Sequence, residues 1–291
     1  MKTVSSIATQ IGSLGVVPCS CLKDILGNGT ILLPTDVKKP INHFSNDLVR
    51  AQLFEALRFG FRSLSHLVAY EALAERRQLS WSGVTLYYAN YFAVLSLNRL
   101  AGRSISTLNT GSSFELSAGS TIGNFDIKRL EVNNHKLVWT SNYDLYSDFN
   151  WRDTDYDDTI VKVRSDPYRH YERKTREYMN YHPGSYSEIF MSSAMSSNLS
   201  RRFYTDKPNV VWSLPLDEEA RKIALLESAA CARQDIIFSI FAEVYASLQP
   251  ESRLVFNGYA TQFSKRVASY PPYSVKLKAM LYNFLIPLMT K

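Results

Sequence analysis

The sequence predicts a mainly α-helical protein, a bundle of long helices with a small antiparallel β-sheet inserted into it. Apolar residues recur at helical spacing over two long stretches, Ser45–Arg77 and Ser82–Ala101. Between about 104 and 163 the period shortens to two, and helical spacing returns further on. With 291 residues, 45% of them hydrophobic and 13% aromatic, the chain has material for a sizeable core. Its composition is not that of a disordered, collagenous or coiled-coil protein.

Residues 1–44 mix Gly, Pro and short apolar runs such as Ile31-Leu32-Leu33 and read as a loosely ordered N-terminal extension with room for one short strand. Residues 45–291 then form a single helical domain with its β insertion at about 104–163. Ser45, Asn46 or Asp47 can cap the first long helix. Along it Leu48, Leu53, Leu57, Phe61, Leu64, Leu67 and Val68 keep helical spacing, and Arg76-Arg77 sits at the C-terminal end that attracts cations. The second helix, closed by Gly102, carries Leu86, Tyr87, Tyr88, Tyr91, Phe92 and Leu95 on nearly every side, the pattern of a helix packed on several faces.

In the insertion, Phe114, Leu116, Ile122, Phe125, Ile127, Leu130, Val132, Leu137 and Val138 alternate with small polar residues, and Asn133-Asn134 suits a tight hairpin. Further helices are predicted from Asp166 to Tyr181, near 187–197, and over 217–248, 252–269 and 274–289, with breaks at Pro250 and Pro271-Pro272.

The charge balance, 33 basic against 27 acidic residues for a net +6, is compatible with a polyanionic partner without demanding one. Three cysteines, Cys19, Cys21 and Cys231, are too few for a tetrahedral zinc site, and the first two are too close together for a comfortable bridge, so a reducing, cytoplasmic compartment is expected. Polar residues interrupt the N-terminal apolar stretch, so no secretory leader is read there. The run Ala279–Met289 is broken by Asn283 and Pro287 and falls short of the roughly 20 residues of a membrane span. No membrane partner is expected.

Neither G-x-S-x-G nor H-E-x-x-H occurs, which removes the main support for serine hydrolases and zinc proteases. The acidic run Asp144–Asp158 fails as a calcium loop, because an EF-hand starting at Asp153 needs Gly at 158 and Glu at 164 where the chain has Asp158 and Arg164. Gly111, Gly119 and Gly123 read as turns, and His66 on the first helix as a structural histidine.

The segment Arg164–His182 stands apart. It holds two arginine–histidine pairs at one spacing, Arg164 with His170 and Arg176 with His182. Arg169, Arg173 and Arg176 fall at steps of four and three beside Tyr168 and Tyr171, and Lys174 adds a further cation. Such a face can grip phosphates and stack a base. Pro183-Gly184 must end the helix, leaving His182 where its ring can turn back toward Arg176. An imidazole near neutral pKa can move a proton to or from a ribose hydroxyl while a guanidinium holds the phosphate, so the chemistry needs neither metal nor cofactor.

Taken together, the long first helix, the buried Tyr-rich second helix "SGVTLYYANYFAVLSLNRLAG" and the later "REYMNYHPGSYSEI" resemble the HEPN superfamily, most of all its YaaC-like branch. The resemblance covers mainly residues 45–102 and 166–190. It implies a helical bundle whose last motif is R-x4-6-H, and a metal-independent endoribonuclease with a site formed across a homodimer, in phage defence or toxin–antitoxin modules. On this sequence the motif is Arg176 and His182, with Asn180 as polar neighbour. Glu177 follows the arginine where active members carry a small polar residue, and this motivates the alternative of a non-catalytic subunit docking on a protein partner of a multi-gene anti-phage system.

Overall fold

A computed structural model describes residues 2–3, 20–76, 78–131, 137–141, 149–150, 218–248 and 250–269. The elements are β1 (Lys2–Thr3), α1 (Leu22–Gly27), β2 (Ile41–Phe44), α2 (Asn46–Glu75), α3 (Leu79–Leu100), β3 (Arg103–Thr107), β4 (Ser113–Ala118), β5 (Asn124–Leu130), β6 (Phe149–Asn150), α4 (Glu218–Ser247) and α5 (Pro250–Ser269). The protein is mainly helical with a small four-stranded antiparallel sheet. It divides into two compact units, Met1–Phe59 with Val94–Asn150 and Ser239–Tyr259, and Gly60–Ala93 with Trp151–Phe238 and Ala260–Lys291.

In the first unit the sheet has the order β2-β5-β4-β3, antiparallel throughout, with Leu116 opposite Ile127 and His43 opposite Phe125. Phe125 and Ile127 are buried while Asp126 and Lys128 face solvent, the alternation of a sheet covered on one face. That covered face, with Phe114 and Leu116, packs on Leu22, Ile25 and Leu26 of α1 and Leu48, Val49 and Ala51 of α2. The N-terminal segment therefore supplies an edge strand and a core helix of this unit. The turns between strands fall at Gly111 (φ 86°) and Gly123 (φ 82°).

Two parts of the insertion differ from the sequence-based expectation. Ile122 lies in the β4–β5 turn, and residues 137–141 form a helical turn in place of a strand. Val138 and Trp139 are both buried; two successive inward side chains are incompatible with strand alternation but not with a helical turn. The Asn133-Asn134 hairpin and the predicted helices at 166–181, 187–197 and 274–289 lie outside the described residues.

Ser45 caps α2: its Oγ accepts the Leu48 N–H at 3.3 Å, and its own N–H donates to Gly123 O at 2.7 Å. In the first unit α2 and α3 run antiparallel, with Ser96 Oγ donating to Ala56 O at 2.8 Å and Arg99 Nε donating to Glu55 Oε2 at 2.6 Å. The other Glu55 oxygen accepts Leu22 N–H at 3.0 Å, and the Arg99 guanidinium lies 4.5 Å over the Phe59 ring. A buried ion pair is tolerated only when its remaining donors and acceptors are met in this way. Where α4 ends, Arg253 donates to the carbonyls of Leu248 and Ala246, and Phe241 and Tyr245 meet Phe256 edge-on at 5.8 Å.

The second unit has its own core, in which Phe61 meets Phe238 edge-on at 5.6 Å and Phe263 at 5.9 Å. Here too α2 and α3 are antiparallel, with Ser63 Oγ donating to Ala89 O at 2.5 Å. Its interior is polar for a helical core. Asn90 donates to Leu226 O at 3.0 Å and accepts from Arg233 Nη1 at 2.5 Å, and Gln234 Nε2 donates to Ser63 Oγ.

Candidate functional site

The residues that carry the sequence-based site, Arg164, Arg169, His170, Arg173, Lys174, Arg176, Asn180 and His182, lie outside the described residues. The described part of the second unit offers a different cluster. Arg62 and His66 stand one turn apart on α2, and Tyr88 and Phe92 one turn apart on α3. The rings of His66, Tyr88 and Phe92 form a triangle with centroid separations of 5.2, 5.8 and 6.0 Å, tilted from one another by only 21°, 32° and 25°. The Arg62 guanidinium lies over Phe92 at 4.1 Å, a cation–π contact that holds the fork against the helix surface.

This cluster is built but uncommitted. Arg62 is exposed and His66 and Tyr88 are half-buried. Among the described residues, the guanidinium, the imidazole and the Tyr88 hydroxyl have no hydrogen-bond or ion-pair partner. Between Glu55 and Glu71, and throughout Leu79–Leu100, the chain has no Asp or Glu, so neither helix offers a carboxylate to neutralise Arg62. Seven positions before Tyr88, and so two turns away on the same side of α3, Trp81 is 69% exposed.

Burial, reinforced by the neighbouring Arg62 charge, pushes His66 down to about 4. The imidazole is therefore neutral at physiological pH, with one nitrogen donating and the other accepting, and too weak a base for efficient proton transfer there. The arrangement sets a cation, aromatic rings and a neutral imidazole side by side. An anion fits Arg62, a planar ring fits Tyr88 or Trp81, and a polar edge fits His66.

A second group of perturbed residues lies in the interior of the same unit. The Tyr70 hydroxyl donates to Glu227 Oε1, and Glu71 is nearby. Burial pushes Glu227 up to about 7, with the Tyr70 hydrogen bond opposing and the Glu71 charge adding. The phenol is raised well above its usual range by burial and by the Glu227 charge. Sealed from solvent, this pair can bind a proton but cannot meet a substrate.

The first unit has a cleft of about 70 Å3 lined by Gln52, Arg99, Gly102, Ser120 and Gly123 among others. Ligand pockets run to about 300–1,000 Å3, so this one holds only water-sized molecules. Elsewhere in this unit Cys21 Sγ lies 2.8 Å from Arg58 Nη1. The Tyr259 phenol is raised by burial, an effect the Arg58 charge opposes and Cys21 adds to. Among the described residues, no group of three or more His, Cys, Asp or Glu could hold a metal ion, and no helix is long and apolar enough to cross a membrane.

Compared with known proteins, the chain matches no family model, no curated protein and no solved structure. Sequence reasoning took His66 as structural and α3 as packed nearly all round, and so passed over this cluster. Its signal was present: an i, i+4 arginine–histidine pair in an acid-free stretch, beside aromatics at positions 81, 88 and 92.

Proposed function

We propose that this protein is a HEPN-like RNA-binding protein of a bacterial defence or toxin–antitoxin module, acting in the cytoplasm and cutting RNA without a metal. Arg176 holds the scissile phosphate, His182 serves as general acid and base, and Asn180 is their polar neighbour. Arg164, Arg169, His170, Arg173 and Lys174 track the RNA backbone. A homodimer, as the family resemblance implies, brings two such motifs together.

The observation that carries this reading is the repeated arginine–histidine spacing, whose second copy ends at Pro183-Gly184. The proline stops the helix and frees the imidazole to share a phosphate with the guanidinium. The Arg62–Tyr88 cluster supports it, since an exposed cation beside a half-buried aromatic ring is a composition found in nucleic-acid contacts. In EDTA the purified chain is expected to cut single-stranded RNA and leave a cyclic phosphate. His182→Ala abolishes cutting without changing the unfolding curve; undiminished cutting by that variant refutes the assignment.

Glu177 favours a second reading, because it places an anion beside the arginine that would hold phosphate. The chain would then be a non-catalytic helical subunit docking on a protein partner of its module. A stoichiometric partner co-purifying with a chain that cuts no RNA selects this reading over the first.

A further inference from the structure

We infer that the α2–α3 face made by Arg62, His66, Trp81 and Tyr88 is a binding strip for single-stranded RNA, taking a backbone phosphate on Arg62 and stacking bases on Trp81 and Tyr88. The inference rests on the RNA reading above but concerns residues far in sequence from Arg176 and His182, and it assigns them binding alone.

Four features of the strip select this ligand. The Arg62 fork lies 4.1 Å from the Phe92 ring, is exposed, and has no ion-pair partner among the described residues. A stacked guanidinium in that state keeps its in-plane N–H donors for a phosphate. Second, no carboxylate occurs along α3 or on α2 between Glu55 and Glu71, so nothing on these stretches repels an approaching polyanion.

The third feature is the aromatic spacing. Trp81 and Tyr88 are separated by two helical turns, about 10 Å at ~1.5 Å per residue. One base cannot span that distance; a strand can place a base on each ring with nucleotides between, as on known stacking platforms. Finally, His66 is neutral, and its donor and acceptor nitrogens suit a base edge or a ribose 2′-hydroxyl, the group that separates RNA from DNA. An acidic peptide would use Arg62 but leave Trp81 and Tyr88 with nothing to stack.

The test is equilibrium binding of a fluorescein-labelled oligouridylate, about twelve nucleotides long, to the full chain carrying His182→Ala so that the probe survives. Arg62→Ala, Trp81→Ala and Tyr88→Ala are each expected to weaken binding about tenfold. Tyr88→Phe keeps the ring and binds like its parent, and Arg62→Ala also flattens the salt dependence by roughly 0.7 in slope. Trp81 and Arg62 are exposed, so their removal spares the core, and unfolding curves of all variants verify it. If the parent binds the probe and the three alanine variants bind equally well, the strip is refuted and the RNA reading stands. A parent that binds no RNA refutes both. Polyglutamate competing as strongly as unlabelled oligouridylate of equal charge also overturns the strip, by showing it to be a site for acidic chains.

Discussion

Glu227 shows what a single buried carboxyl can do to this protein. Its folded-state value of about 7 against 4.5 in the open chain means that the folded state binds the proton more tightly. The stability it contributes is therefore complete below about 4.5 and is lost as pH rises through about 7, a change on the order of 3 kcal/mol. His66 runs the other way. Depressed from 6.5 to about 4, it contributes stability that is present above 6.5 and lost as pH falls through 4. Glu227→Gln keeps an acceptor for Tyr70 and cannot ionise, so it isolates the first effect. In urea unfolding at pH 5 and pH 8, the variant should gain on the native chain as pH rises; a gap independent of pH contradicts this. Neither shift was legible in the sequence, because each arises from what the fold places around the group.

At the scale of elements, Gly102 decides how α3 passes into the sheet. It sits at φ 77°, and a Cβ there would stand 2.4 Å from Ala118 Cβ, while Ala118 N–H donates to Gly102 O at 2.9 Å. Gly102→Ala combines left-handed strain with a steric clash and should cost about 2–4 kcal/mol. Gly111→Ala has the same handedness problem, φ 86°, but nothing within 4 Å, and should cost about half as much. Equal losses in melting experiments would show that the contact with Ala118 is not felt. The sequence already marked this stop, as it marked an N-cap among Ser45, Asn46 and Asp47 and the Pro250 break, because caps and breakers act on their immediate neighbours. It could not show β2 pairing with β5, since the partner of His43 is Phe125 and nothing local links them. Nor could it show the open side of α3: Tyr88 is as apolar in a helical wheel when half-exposed as when buried, and only the neighbouring Arg62 and His66 reveal the difference.

For the molecule as a whole, composition leaves room for a polyanionic ligand, and the proposed strip on α2 and α3 gives that possibility a place to be tested. The net charge of +6 is modest, so the proposed affinity for RNA rests on positioned cations and aromatic faces and not on bulk attraction. The helical class and the small antiparallel sheet were readable from periodicity. The proposed strip was legible only in part: the Arg62–His66 pair in its acid-free stretch can be read from α2, but its meeting with Tyr88 and Phe92 joins two helices whose patterns, taken singly, are those of core elements. The most direct measurement of RNA recognition is the affinity of the full chain for single-stranded RNA over a salt series. If RNA is bound as proposed, log K falls linearly with log salt, with a slope of about 0.7 per phosphate contacted. No binding at low salt, or an affinity indifferent to salt, contradicts it.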